Sequence, residues 1–280
     1  MRHIKKFNDF NINEQINVET AFNYFKGLFG GDSKEDLKPG ESPIKGSVRF
    51  SSSDKAKAIN SIIEAMKKYG VTNPYTQVAI LSTIGKESGF VPQNEISYGS
   101  TSNERIKKIF GKRVENVDVD SLKKDHVAFF DQIYGKKAEE FLNFDTGNDQ
   151  PGDGWKYRGR GFNQITFKNG YKKIQKLFDT MGKTKVDLVN NPDKLNEEDI
   201  AAEAAVLYFI DSCRNPAMNR KYGVNDINGF KDQETALKAI VNSNAGWGNS
   251  LEGKLREDLE KAKSIATTFK IDNSKEVGIA

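Results

Sequence analysis

From Ser51 onward, apolar residues recur at helical spacing. Ile59, Ile62, Ile63 and Met66 fall on one stripe, which Ser53 or Asp54 can cap and Gly70 can end. Asn73-Pro74 reads as the cap and first residue of a second helix. Val78, Leu81 and Ile84 continue that helix until it runs out at Lys86-Glu87-Ser88-Gly89. Residues 125–141 are predicted helical, with Phe129, Phe130 and Ile133 facing inward. Residues 172–181, 199–211 and 251–269 give three further helices. Residues 145–161 break the pattern. They are polar and glycine-rich, and read as a loop or small β-hairpin. The expected fold class is mainly α (α+β).

Residues 1–50 lack sustained periodicity. They hold Gly30-Gly31-Asp32-Ser33 and Pro39-Gly40-Glu41-Ser42-Pro43, which are turn and linker signals. This stretch reads as an N-terminal extension. Its amphipathic piece at 21–29 suits either docking on a structural partner or folding against the main domain. The main domain is expected over 51–270 and a tail over 271–280. No internal repeat is visible.

Composition narrows the function classes. With 36% hydrophobic and 29% charged residues, the 280-residue chain has a globular profile and can bury a sizeable core. Its net charge of +4 suits an anionic surface such as a bacterial wall. No aromatic-basic module accompanies that charge, so no nucleic acid partner is expected. Cys213 is the single cysteine, which excludes an intrachain disulfide and reads as a small buried residue. His3 and His126 are too few for a zinc site, and neither metal nor cofactor is expected. The basic N-terminus is followed by no apolar run, so no secretory signal is expected. The most apolar stretch, 201–210, is about half a membrane span and contains Glu203, so no span is expected.

Two carboxylates are the usual means of cleaving a glycosidic bond without a metal. One protonates the leaving oxygen, and needs an apolar place to keep its proton. Raising a glutamate from ~4.3 to ~6 takes roughly 2–3 kcal/mol of environmental bias. Glu87 ends an apolar helix, beside the small Ser88-Gly89 and the desolvating ring of Phe90. Its spacing alone reads as that of an ordinary solvated helix-end residue. Glu95 is the natural second carboxylate, and eight residues of loop leave the separation open from ~5 to ~20 Å. The segment from Gly152 to Thr166 is the most unusual in the chain. Its glycines allow close backbone approach, and Trp155 and Tyr157 offer ring faces for a sugar. Gln164 and Thr166 alternate on one side of a short extended run, placed to hold an acetamido group or a water. Ordinary turn glycines in a structural hairpin would give the same pattern.

Three blocks together resemble glycoside hydrolase family 19, the chitinases and many phage endolysins. They are Ala79-Ile80-Leu81-Ser82-Thr83-Ile84-Gly85-Lys86-Glu87-Ser88-Gly89-Phe90, Gly154-Trp155-Lys156-Tyr157-Arg158-Gly159-Arg160-Gly161-Phe162-Asn163-Gln164-Ile165-Thr166, and Asp187-Leu188-Val189-Asn190-Asn191-Pro192-Asp193. The second, with its Tyr-Arg-Gly-Arg-Gly core, is the most specific. The resemblance covers roughly 55–265 and implies a two-lobed lysozyme-like fold with a substrate cleft. It implies Glu87 as general acid and Glu95 as the base that activates water in an inverting reaction. It also implies that Tyr98, Gln164, Thr166 and Asn244 contact substrate or water, with Asn242 competing for the last role. Lys86 stands where the family usually has histidine, and Gly170 where it has asparagine.

The expected activity is hydrolysis of β-1,4 bonds in peptidoglycan by a monomeric domain. The expected route is cytoplasmic synthesis, then action on the wall after release through a pore or as part of a virus particle. Three alternatives stay open. Glu87-Ser88-Gly89 also resembles the Glu-Ser motif of lytic transglycosylases and goose-type lysozymes. Chitin shares the same β-1,4 unit. A non-catalytic wall-binding virion protein could keep the fold.

Overall fold

The computed structural model describes residues 52–245 and 254–267. The readings for 1–50 and 271–280 lie outside them. The chain is mainly helical, and no strand occurs among the described residues. In chain order the longer helices are α1 (Ser52–Lys68), α2 (Pro74–Ser88), α3 (Asn103–Phe110), α4 (His126–Tyr134), α5 (Lys168–Thr180), α6 (Glu198–Cys213), α7 (Pro216–Tyr222), α8 (Gln233–Ala245) and α9 (Lys254–Ala266). They fall into two compact units. One holds residues 52–91 with the described residues from 205 on, and the other holds 92–204. Helix α6 runs unbroken through the change at 204/205.

In the first unit α2 is the centre, packed by α1, α8 and α9. It is buried from Thr76 to Gly85 on every side, as a helix in the middle of a core must be. Polar residues survive there by back-bonding. Ser82 and Thr83 donate to the carbonyls of Val78 and Ala79 at 2.6 and 2.8 Å. Ile59, Ile62, Ile63 and Met66 of α1 are all buried, and Gly70 takes φ +72° just past its end. The expected caps Ser53 and Asp54 both fall inside α1, which begins at Ser52, with Asp54 in its first turn. Asn73 caps α2 as expected, accepting from Thr76 N at 3.1 Å. Its amide also donates to the carbonyls of Asn228 and Phe230 at 3.0 and 2.7 Å. Cys213 is fully buried, and burial pushes its thiol up to about 12. No helix among the described residues is long and apolar enough to cross a membrane.

The second unit is built on a cluster of Ile106, Phe110, Val114, Val119, Phe129, Phe130 and Ile133, against which Tyr98, Tyr134 and Trp155 pack. The expected helix over 125–141 is interrupted. It stops at Tyr134, Gly135 is extended, and short turns follow at Lys136–Ala138 and Glu139–Leu142. A side chain at 135 would collide with the backbone of Asp131, and the Tyr134 carbonyl is taken by the Asn148 amide at 2.8 Å. The hairpin expected within 145–161 is replaced by a helical turn, Asp153–Lys156. Asp131 holds that turn from α4, accepting from Gly152 N at 2.5 Å and Gly154 N at 2.9 Å. Extended pairing shrinks to one antiparallel bridge, Arg160 with Ile165.

Asn73→Ala removes one cap and two long-range hydrogen bonds from the first unit. The expected loss is about 2–3 kcal/mol, which lowers the thermal midpoint by roughly 5–10 °C. Differential scanning calorimetry checks it; a midpoint within about one degree of wild type would refute it.

Candidate functional site

Glu87 ends α2, where Gly89 (φ +58°) and Phe90 (φ +64°) turn the chain through two successive left-handed residues. That conformation costs a bulky residue about 1–3 kcal/mol. Burial of the Phe90 ring, 1% exposed, offsets it. The ring lies so close to Gly85 that a Cβ there would come within 2.8 Å of it. The expected apolar shielding of Glu87 is therefore corrected. The Glu87 side chain is 27% exposed and its Oε1 pairs with the ammonium of Lys86. Lys86, only 6% exposed, also reaches Asp258 Oδ2 of α9 at 3.2 Å. Asn244, in the same unit, is half-buried near the end of α8. Asn242 is fully buried and donates to the Tyr222 hydroxyl at 3.0 Å, a structural position.

Glu95 belongs to the second unit and is held from three directions. Its Oε1 accepts from the hydroxyls of Tyr98 and Tyr134, both at 2.8 Å. Its Oε2 accepts from Gly159 N at 3.2 Å, and its own N–H donates to Gly159 O at 2.7 Å. A carboxylate has about four lone-pair sites, so one remains, on Oε2. Tyr98 is clamped in turn, stacked on Phe129 at 5.3 Å and edge-on to Phe110 at 5.0 Å. Arg113 backs this group. Its guanidinium lies over the Phe110 and Tyr134 rings and donates to the carbonyls of Phe110 and Ile133. The expectation of Tyr98 as a substrate contact thus becomes a positioning role for its hydroxyl.

Gly159 keeps the edge beside Glu95 uncrowded. A Cβ there would stand 2.8 Å from Gln164 Oε1 and 3.3 Å from Glu95 Oε2. Gln164 spends both amide protons on the carbonyls of Gln93 and Gly161, at 2.9 and 3.1 Å, which leaves its Oε1 as an acceptor. Two acceptor oxygens thus flank Gly159, and this edge suits a donor: a water, a sugar hydroxyl or an acetamido N–H. Gln164 has φ +51°, so the expected extended run does not form. Thr166 donates to Gln164 O at 2.9 Å, which leaves only its lone pairs for a ligand.

The remaining polar residues of this block build the support. Tyr157, expected to offer a ring face, is 2% exposed; it packs on Tyr171 and donates to Val189 O at 3.1 Å. Trp155 is capped by the Arg158 guanidinium, 3.7 Å from its centroid. Burial, and then the neighbouring Arg160, bring Arg158 down to about 10. Arg160 is 2% exposed and ties Asp193, the Lys156 and Arg158 carbonyls and the Tyr171 hydroxyl together. Tyr134 and Arg113 escaped the sequence reading. Tyr134 sits four residues after Phe130, on the same apolar stripe. Its one distinguishing signal is a hydroxyl on an otherwise aromatic face, which needs a partner when buried.

Burial, then the charge of Glu95, pushes the phenols of Tyr98 and Tyr134 up, and burial pushes Tyr171 up to about 12. The folded chain keeps neutral phenols that the unfolded chain ionises near pH ~10. Their contribution to stability is complete below about pH 10 and declines as pH rises from there toward the folded values. Tyr134→Phe is expected to make the loss of stability between about pH 10 and 12 shallower than in wild type, read by urea unfolding across that range. An equally steep loss would show that Tyr134 ionises freely in the fold.

No protein-family model matches the chain, and no curated protein matches it.

Proposed function

We propose that the chain is a lysozyme-like glycoside hydrolase that cleaves β-1,4 bonds in bacterial peptidoglycan. The observation that carries the reading is the mounting of Glu95. Two phenol hydroxyls hold one oxygen, and a backbone N–H leaves the other with a lone pair, beside Gly159, where a Cβ would crowd Gln164 Oε1. A base that takes a proton from water needs such an oriented, partly unoccupied carboxylate. The resemblance of the three blocks to glycoside hydrolase family 19 supports the same assignment and brings with it the two-lobed, cleft-bearing architecture.

In this reading Glu95 Oε2 takes a proton from the attacking water, whose other O–H donates a hydrogen bond to Gln164 Oε1. The resemblance to glycoside hydrolase family 19 assigns to Glu87 the proton given to the leaving oxygen as the glycosidic bond breaks. Water adds to the anomeric carbon from the opposite side, so the product is inverted. The basic surface favours the anionic wall over neutral chitin. Phage lysis, by release through a pore or carriage in the particle, is the biological setting the resemblance suggests.

A second reading draws on Lys86. Its ammonium occupies Glu87 and Asp258 together, an ion pair where an acid would keep its proton more easily in apolar surroundings. A protein that binds the wall without cleaving it would have no need to hold that proton.

The test is clearing of purified cell walls by the full chain, with product analysis by mass spectrometry. Hydrolysis predicts new reducing ends. Glu95→Gln and Glu87→Gln are each expected to lower the rate at least about 100-fold, and Tyr134→Phe by roughly five- to tenfold. Anhydromuramic ends would replace hydrolysis by transglycosylation. Binding without clearing on several wall types would establish the second reading.

A further inference from the structure

Five large hydrophobic side chains stand exposed among the described residues: Ile96, Ile109, Val127, Phe141 and Phe144. All belong to the 92–204 unit that holds Glu95. Phe144 is set apart by the backbone around it. Although the side chain is 50% exposed, its loop is bound down on both sides. Thr146 donates twice to Glu139 Oε1, at 2.9 Å from N and 2.8 Å from Oγ1. Asn169 donates its N–H to Thr146 O at 2.9 Å and its amide to Asp145 O at 3.1 Å. Asn148 bridges Tyr134 O and Lys168 N, both at 2.8 Å. A loop so fixed presents its apolar ring at no further ordering cost to a ligand.

The ring also continues inward. Phe144 stands edge-on to Phe167 with centroids 5.4 Å apart, and Phe167 edge-on to Tyr134 at 5.2 Å. Phe167 keeps this place in the left-handed region, at φ +68°. The Tyr134 hydroxyl ends the row on Glu95. A row of three rings therefore connects an exposed aromatic to the carboxylate assigned to the chemistry.

We propose that Phe144 is a stacking platform for a sugar unit of the same glycan, outlying from the bond that is cut. The inference rests on the glycoside hydrolase reading. An N-acetylhexosamine ring has an apolar C–H face that lies on an aromatic ring, while its hydroxyls seek polar groups such as Asn143 and Asp145 on either side of Phe144 in the chain. Phe144 lies between the exposed polar residues Asn143 and Asp145 in the chain, a setting that suits a sugar, whereas a protein partner would call for a contiguous apolar patch.

Clearing kinetics on purified walls test this with the full chain and Phe144→Ala, Phe144→Trp and Ile109→Ala. Phe144→Ala is expected to raise the half-saturating wall concentration roughly five- to tenfold while the maximal rate stays within about twofold. Phe144→Trp restores wild-type affinity, and Ile109→Ala changes neither quantity. A wild type that clears walls beside a Phe144→Ala variant of unchanged half-saturation overturns the platform and leaves the hydrolase reading standing. A Phe144→Ala variant that loses maximal rate and keeps its affinity also overturns it. A wild type that neither clears nor cosediments with walls removes the hydrolase reading and the platform together.

Discussion

Two phenol hydroxyls on one carboxylate oxygen set the terms for the second unit. Tyr98 and Tyr134 can both reach Glu95 only because the rings beneath them are packed, and Phe110, Phe129 and Phe130 do that packing. The aromatic core is thus also the mount of the polar group. A phenol has a rigid ring and a single donor, so it fixes a carboxylate with less lost freedom than a longer side chain would. The third tie, from Gly159, comes from a separate part of the chain, the block braced by Arg160. Core packing, a buried guanidinium network and the backbone N–H of Gly159 thus converge on one side chain.

Much of the helical framework was legible in the sequence because periodicity reports burial. The α1 stripe, the Asn73-Pro74 start of α2 and its end at Ser88-Gly89 all follow from local rules that the tertiary structure does not oppose. The failures share one cause: a distant partner decides the local shape. The helix at 126–134 ends because Asn148, 14 residues on, takes the Tyr134 carbonyl. Residues 152–156 curl because Asp131 accepts their N–H groups. Neither contact has a signature in a window of neighbouring residues.

The site was legible in part. Gln164 and Gly159 lie in the block whose composition stood out, and Glu95 joins them from 64 residues away, but their roles are sorted by who donates to whom. Tyr157 was read as a ring for ligand and is a core residue. Tyr134 escaped that reading and is a carboxylate holder. An aromatic residue's identity says that it carries a large ring; which surface the ring meets depends on residues far along the chain. The pairing of Lys86 with Asp258 is of the same kind, joining α2 to α9 across 172 residues of chain.

Cys213 has a plainer consequence. A thiol pushed to about 12 by burial is almost never a thiolate near neutral pH, and only the thiolate attacks disulfides or oxidants readily. With no second cysteine in the sequence, no covalent crosslink within the chain can change when its surroundings do. Helix α6, which carries Cys213, therefore has no intrachain disulfide to lose when the protein passes between reducing and oxidising surroundings.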